Sequence, residues 1–184
     1  MAQKGDEIKK LLEQDDADLA EAAVHVAKLR RLTGLAKVAS VVELLQDELA
    51  GGLNKIVVFA HHREVIQKLA DGLSSFGVVV LQGSTPPTQR QAAIDGFQND
   101  NSIRVFVGQL TAAGTAITLT AASNVLFAES SWTPSDNAQA AMRVHRIGQR
   151  SGVLVRFATL SGSLDEAITE TVRRKTAVLA QIFD

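Results

Sequence analysis

Ile56-Val57-Val58-Phe59-Ala60 is an unbroken apolar run of one strand's length, followed at once by His61-His62-Arg63 and then by helical spacing from Glu64 to Leu73. Four later runs share its character: Val78-Val79-Val80-Leu81, Ile103-Arg104-Val105-Phe106-Val107, Asn124-Val125-Leu126-Phe127-Ala128 and Val153-Leu154-Val155-Arg156-Phe157. Rich in Val, Ile and Phe and mostly without period-two alternation, they suit strands buried on both faces, which demands helices on both sides of a parallel sheet. Helical patterns over Gln89 to Phe97, Ser135 to Val144 and Leu164 to Ile182 fill the intervals. The alternation predicts an α/β fold, a parallel doubly wound sheet of about five or six strands with helices on both faces. In such sheets ligands sit at the carboxyl ends of the strands, which singles out the loops after Ala60, Leu81, Val107 and Ala128.

Upstream, the first 20 residues are polar and mixed in charge, including Asp15-Asp16-Ala17-Asp18, and read as a solvated lead-in. Apolar positions then recur at Leu19, Ala22, Val26 and Leu29 and again, after Thr33-Gly34, at Val38, Val41, Val42, Leu45 and Leu49. This predicts two amphipathic helices broken at Gly34, the second ended by Gly51-Gly52. Residues 1–52 are thus expected to be a helical lead-in packing on the body formed by 53–184.

With 184 residues, 46% hydrophobic, and only 3 Pro, the chain can bury a sizeable core as one domain. Lys+Arg 19 against Asp+Glu 20 leaves a net charge of -1, so any nucleic-acid contact must come from local charge. The 0 Cys exclude disulfides, zinc-thiolate sites and a cysteine nucleophile, and suit an intracellular protein. No apolar run approaches a membrane span, and the charged Met1 to Leu12 segment is unlike a signal peptide. Aromatics at 4% argue against a surface that stacks a row of bases.

Several chemistries are missing. There is no Gly-x-x-x-x-Gly-Lys-Ser/Thr string to cradle phosphates, and His61-His62 stands where a dinucleotide fold would carry its glycines. Asp165-Glu166-Ala167-Ile168 has the composition of a magnesium-binding acidic box, but Ser161-Gly162-Ser163-Leu164 precedes it instead of a buried strand; it reads as the acidic first turn of a helix. Adjacent histidines at a strand end are expected to point to opposite sides, so no metal site is expected at His61 and His62. No serine-nucleophile elbow or His-x-x-x-His spacing occurs.

From Asn137 to Leu164 there is no acidic residue, while Arg143, Arg146, Arg150 and Arg156 all fall inside. If Pro134 opens a helix, Arg143 and Arg146 project from one face with Gln139 a turn earlier, a donor set suited to polyphosphate. The string Gln139-Ala140-Ala141-Met142-Arg143-Val144-His145-Arg146-Ile147-Gly148-Gln149 closely resembles the last helicase motif of the Swi/Snf family of DNA-translocating ATPases. Val57-Val58-Phe59-Ala60-His61-His62 resembles the motif that opens the second RecA-like lobe, its double histidine being similar to the annealing-helicase branch. Gly83-Ser84-Thr85 with Arg90 and Phe97 resembles the next motif. Leu110-Thr111-Ala112-Ala113-Gly114 through Leu119-Thr120-Ala121-Ala122, with Phe127-Ala128-Glu129 and Trp132-Thr133-Pro134, resembles the fifth. Leu32-Thr33-Gly34-Leu35-Ala36-Lys37 looks like the helical lead-in.

This resemblance implies the second lobe of a two-lobe motor, with ATP and magnesium held mainly by a first, N-terminal RecA-like lobe, in cis or trans, that carries the P-loop. Arg146 would be the principal arginine finger and Arg143 the second, with Gln139 and Gly114 beside the nucleotide. Thr111, Trp132, His62, Arg63 and Ser84 would contact double-stranded or forked DNA, and the protein would reside with DNA, in the bacterial cytoplasm or nucleoid or in a eukaryotic nucleus. Three positions depart from the family pattern: Ala113 and Ala116 replace common glycines, Thr133 replaces Asn, and Met142 stands where an acidic residue is usual. The alternative is a standalone RecA-like module that binds DNA or protein without turnover.

Overall fold

The computed structural model describes the backbone of residues 2–114 and 117–183, with side chains for residues 23–112 and 117–176. The elements are α1 (Ala2–Ala50), β1 (Ile56–Ala60), α2 (Arg63–Gly72), β2 (Val78–Leu81), α3 (Pro87–Asn99), β3 (Val105–Gln109), β4 (Asn124–Phe127), α4 (Pro134–Ala141), β5 (Leu154–Phe157) and α5 (Leu164–Phe183), with 3-10 turns at Ser74–Phe76 and Leu110–Gly114. The five strands form one sheet in the order β2-β3-β1-β4-β5. All pairings are parallel, in the register Ile56↔Val105, Ile56↔Asn124, Val78↔Val105 and Asn124↔Leu154.

β1 is central and every one of its residues is buried. Because side chains alternate along a strand, Ile56, Val58 and Ala60 meet one layer and Val57 and Phe59 the other. On the first face they pack with Val41, Leu45 and Leu49 of α1 and Val65, Ile66 and Leu69 of α2. On the second they pack with Phe97 of α3, Ala140 of α4 and the strand residues Phe106 and Phe127. Helices therefore cover both faces, as the doubly wound reading expects.

Three expectations are corrected. The lead-in is one helix that starts at Ala2 and passes through Gly34, not two helices broken there. β3 starts two residues later than its apolar run, because Arg104 N and Val105 N both donate to the carbonyl of Gly77 (3.0 Å each) and the strand then follows β1 as far as Gln109. Gly77 itself has φ +70, and a Cβ there would lie 1.9 Å from Ser102 O, so this junction admits no side chain. Finally, β5 is an edge strand with Leu154 and Phe157 exposed rather than buried on both faces, although the Phe157 ring stacks on Phe127 at 4.8 Å.

Polar groups fasten α1 to the sheet. Arg104 donates to the carbonyls of Asn54 (3.0 Å), Leu49 (2.7 Å) and Leu53, filling acceptors that the C-terminal end of α1 leaves open. Lys37 pairs with Asp165 at 2.6 Å, both nearly fully buried, and also donates to Ala158 O at 2.8 Å. Asp165 accepts from Leu160 N (3.1 Å), so the acidic first turn of α5 is structural, as its sequence context suggests.

Candidate functional site

β1 and β4 are neighbours whose following segments lead to opposite ends of the sheet, so their carboxyl ends frame the crevice where α/β sheets hold ligands. The loops leaving them are joined through Glu129, which is 3% exposed. Its Oε2 accepts from the backbone N–H groups of both His61 and His62 at 2.9 Å, and its Oε1 lies 2.6 Å from His62 Nδ1. Since an ionised carboxylate can only accept, this contact places a proton on His62 Nδ1. The two histidine rings touch edge to face, with centroids 4.9 Å apart, instead of pointing to opposite sides, because the chain turns immediately after β1. Burial pushes His61 below its ordinary value, helped by the charge of Arg30 and by His62, so its neutral form is favoured at neutral pH.

A cleft of about 290 Å³ opens here, lined by Arg30, His61, Leu110, Thr111, Ser131, Asp136 and Gln139. It unites Thr111 with Gln139 and adds Arg30 of α1 and His61. Arg30 Nη2 donates to Ser130 O at 2.5 Å, while its Nε is buried without a partner among the described residues. Asn137 fixes the same loop by accepting from Ser131 N (2.8 Å) and donating to Ser131 O (3.0 Å). Ser131 Oγ in turn donates to Asp136 at 2.8 Å.

Arg143 and Arg146 do not share a helix face with Gln139. α4 ends at Ala141, and the chain tightens into turns in which Arg143 N and Val144 N bond back three residues, to Ala140 O (3.1 Å) and Ala141 O (3.0 Å). Arg143 is half-buried and Arg146 exposed, with Arg146 Nη1 donating to Ile117 O (3.3 Å) and Thr118 Oγ1 (3.2 Å). Sequence reasoning missed the pin of this turn. The Gln149 amide donates to Ala122 O (2.6 Å) and Thr120 O (3.2 Å), while its oxygen accepts from Arg150 N (2.9 Å) and Ser151 N (3.0 Å).

The remaining residues singled out by sequence lie around the same end of the sheet or beside it. His62 caps α2 without a side-chain cap bond, and Arg63 is the exposed first residue of that helix. Ser84 is exposed in the turn after β2, whose neighbouring Gly83 N donates to Gln109 Oε1 at 3.0 Å. Trp132 is half-buried in the loop before α4. Gly114 ends the 3-10 turn after β3, described by its backbone alone, and Ala116 lies outside the described residues. Arg156 leaves the positive segment altogether, because Glu48 of α1 binds it through two oxygens, one at 2.7 Å.

Comparison with known proteins gives a consistent result. The helicase conserved C-terminal domain family matches residues 36–148. The chain is 37% identical over 156 residues to the "SWI/SNF-related matrix-associated actin-dependent regulator of chromatin subfamily A-like protein 1 homolog" of Caenorhabditis elegans, covering 82% of this chain and 23% of that protein. It is 32% identical over 176 residues to the "DNA annealing helicase and endonuclease ZRANB3" of Mus musculus, covering 94% and 16%. Among solved structures, the C-terminal part of the Fun30 ATPase domain matches with a TM-score of 0.69 and 31% identity, over 74% of this chain and 44% of that one. The chain thus spans less than a quarter of these two relatives' own lengths. Among the described residues no helix is long and apolar enough to cross a membrane.

Proposed function

The chain belongs to the helicase conserved C-terminal domain family, as a RecA-like lobe with Swi/Snf-related annealing-helicase relatives, and from that premise we propose that it is the second motor lobe of an ATP-driven double-stranded DNA translocase or annealing helicase. Residues 53–184 form the lobe and 1–52 its helical lead-in. Arg146 acts as the arginine finger on a nucleotide held by the P-loop lobe, with Arg143 as the second arginine and Gln139 and Gly114 beside the nucleotide. Thr111, Trp132, His62, Arg63 and Ser84 follow the DNA backbone, a track insensitive to sequence.

The observation that carries this reading is the state of Arg146. It stands exposed on a turn that Gln149 anchors, and among the described residues only a carbonyl and a hydroxyl receive its hydrogen bonds. A guanidinium so placed suits the charge that develops on γ-phosphoryl oxygens during transfer. ATP and magnesium are held mainly by the P-loop lobe, as the family resemblance implies.

The test pairs two measurements. The isolated chain should show no DNA-stimulated phosphate release. In the motor with both lobes, Arg146→Lys keeps the charge but loses the planar fork, and turnover should fall at least about a hundredfold, short of the roughly 10³ to 10⁵ that complete loss of such a finger costs, while the melting temperature of this lobe stays put. Arg143→Lys should have the smaller effect. Near-normal turnover of the Arg146→Lys motor, or a matching loss of fold, would refute the assignment.

A further inference from the structure

Arg30 carries a charge for which no ion-pair partner stands among the described residues. It is half-buried on α1, and burial pushes it below its ordinary value against the pull of Glu129 and Asp165. Both carboxylates are committed elsewhere: Glu129 to the two histidines and Asp165 to Lys37 at 2.6 Å. Among the described residues no carboxylate lies within ion-pair distance of Arg30, its one hydrogen bond goes to Ser130 O, and its Nε is buried without an acceptor. Other inward-facing cations are treated differently. Arg156, whose Nε is likewise buried without a partner, is nevertheless paired with Glu48, and Lys55, though without a carboxylate, has two carbonyl acceptors at 2.5 and 2.7 Å. Burying a guanidinium without a counter-charge is costly, so its retention beside a cleft points to an anion that completes the site.

The cleft supplies the rest of a phosphate's needs. Arg30 lines it together with Thr111, Gln139 and His61, residues that carry a hydroxyl, an amide and an imidazole. Asp136, the acid in the lining, is already engaged by the Ser131 hydroxyl at 2.8 Å. We propose that this switch-point cleft is a phosphate site in which Arg30, a residue of the lead-in helix, is the charged ligand and Thr111 and Gln139 are neutral donors. The phosphate belongs either to the DNA backbone or to the nucleotide. The inference deepens the motor-lobe reading and rests on it for the choice of those two sources.

The test uses the chain as it stands, with inorganic phosphate, ATP and a labelled 12-base-pair duplex as probes. The single tryptophan, Trp132, lies two residues beyond Ser130 and reports binding by its fluorescence. Arg30→Gln should weaken duplex or ATP binding about tenfold or more, the affected probe identifying the source, with Arg30→Lys in between. Its melting temperature without ligand should hold or rise, because an unbalanced buried charge is gone. In the wild-type chain, the Arg30 Nε–H resonance, assigned by its loss in Arg30→Lys, should shift on adding inorganic phosphate. An unshifted resonance, or Arg30→Gln binding both probes as the wild type does, overturns the site while leaving the motor-lobe reading intact. A melting temperature lowered in step with binding would likewise make Arg30 structural. A wild-type chain that binds neither duplex nor ATP refutes the motor-lobe reading instead, and the phosphate resonance still decides the site.

Discussion

Gly34→Ala should destabilise the protein, although by helix propensity alone it should do the opposite. An alanine inside a helix is favoured over glycine by about 1 kcal/mol. At this position, however, a Cβ would lie 2.4 Å from Glu129 Oε1 and 2.8 Å from its Cδ, with Val65 Cγ2 at 3.1 Å. Relieving the first contact requires the carboxylate to move by roughly 1 Å. It is not free to do so, being 3% exposed and held by His61 N and His62 N at 2.9 Å and by His62 Nδ1 at 2.6 Å. Hydrogen bonds to a charged group contribute about 1.5–3 kcal/mol each, so losing two of the three outweighs the propensity gain and leaves a net cost of about 2–5 kcal/mol. For a domain of this size that corresponds to a fall in melting temperature of roughly 5–15 °C. Thermal unfolding followed by far-ultraviolet circular dichroism measures it, and the sign discriminates. On a Glu129→Ala background the same Gly34→Ala change should become neutral or stabilising, since the obstructing carboxylate is gone. A single Gly34→Ala variant that melts at or above the wild-type temperature would refute the reasoning and show that Glu129 swings aside freely.

Two further outcomes follow from charge. Glu48 is held below its ordinary value by its hydrogen bonds to Arg156, so its contribution to stability is present above the unfolded value and lost as pH falls through the folded one. Melting temperature should therefore drop from about pH 5 toward about pH 3, less steeply in Glu48→Gln; equal slopes in the two proteins would remove this pair from the acid response. Duplex binding by the isolated chain should be weak, indifferent to sequence and steeply salt-dependent, with a log–log slope of about -2 to -4 for a few neutralised phosphates. Titrations at several salt concentrations test this, and a strong preference for one base sequence that persists at high salt would contradict a backbone track.

The sheet was legible because parallel strands covered on both faces must be apolar throughout, and a run such as Ile56 to Ala60 has few other uses. β1 and β2 have the bounds of their apolar runs, whereas β3 follows its partner strand into Gly108 and Gln109, which no hydrophobic pattern marks. Gly34 was misread because glycine in a helical pattern carries two meanings, a break or a close approach, and only the position of Glu129, 95 residues later, decides between them. The end of α4 was equally hidden. No glycine or proline follows Ala141 until Gly148, and the signal that the chain leaves the helix lies in Gln149, whose amide bonds to carbonyls of residues 120 and 122. Consecutive strings could be recognised from sequence. The cleft could not, because its lining comes from α1, α4 and the loops after β1, β3 and β4, and Arg30 meets its Ser130 partner across 100 positions.

The positive stretch from Asn137 to Leu164 shows what sequence supplies and where structure must take over. In the sequence its four arginines are equivalent, an acid-free field on a neutral chain. The fold divides them by their partners: Arg156 is neutralised by Glu48 from 108 positions away and serves the packing of α1 on β5, while Arg146 stands exposed on a carbonyl and a hydroxyl. Arg30, outside that stretch and in a segment of mixed charge, has the same unbalanced character as Arg146. A cation whose counter-ion is part of the fold contributes to stability whether or not ligand is present. One left on neutral acceptors depends on how many it has: Arg104 fills three carbonyls at the end of α1 and so fastens the fold, whereas Arg30 keeps one carbonyl and Arg146 a carbonyl and a hydroxyl, which leaves these two with donors that an arriving anion can engage.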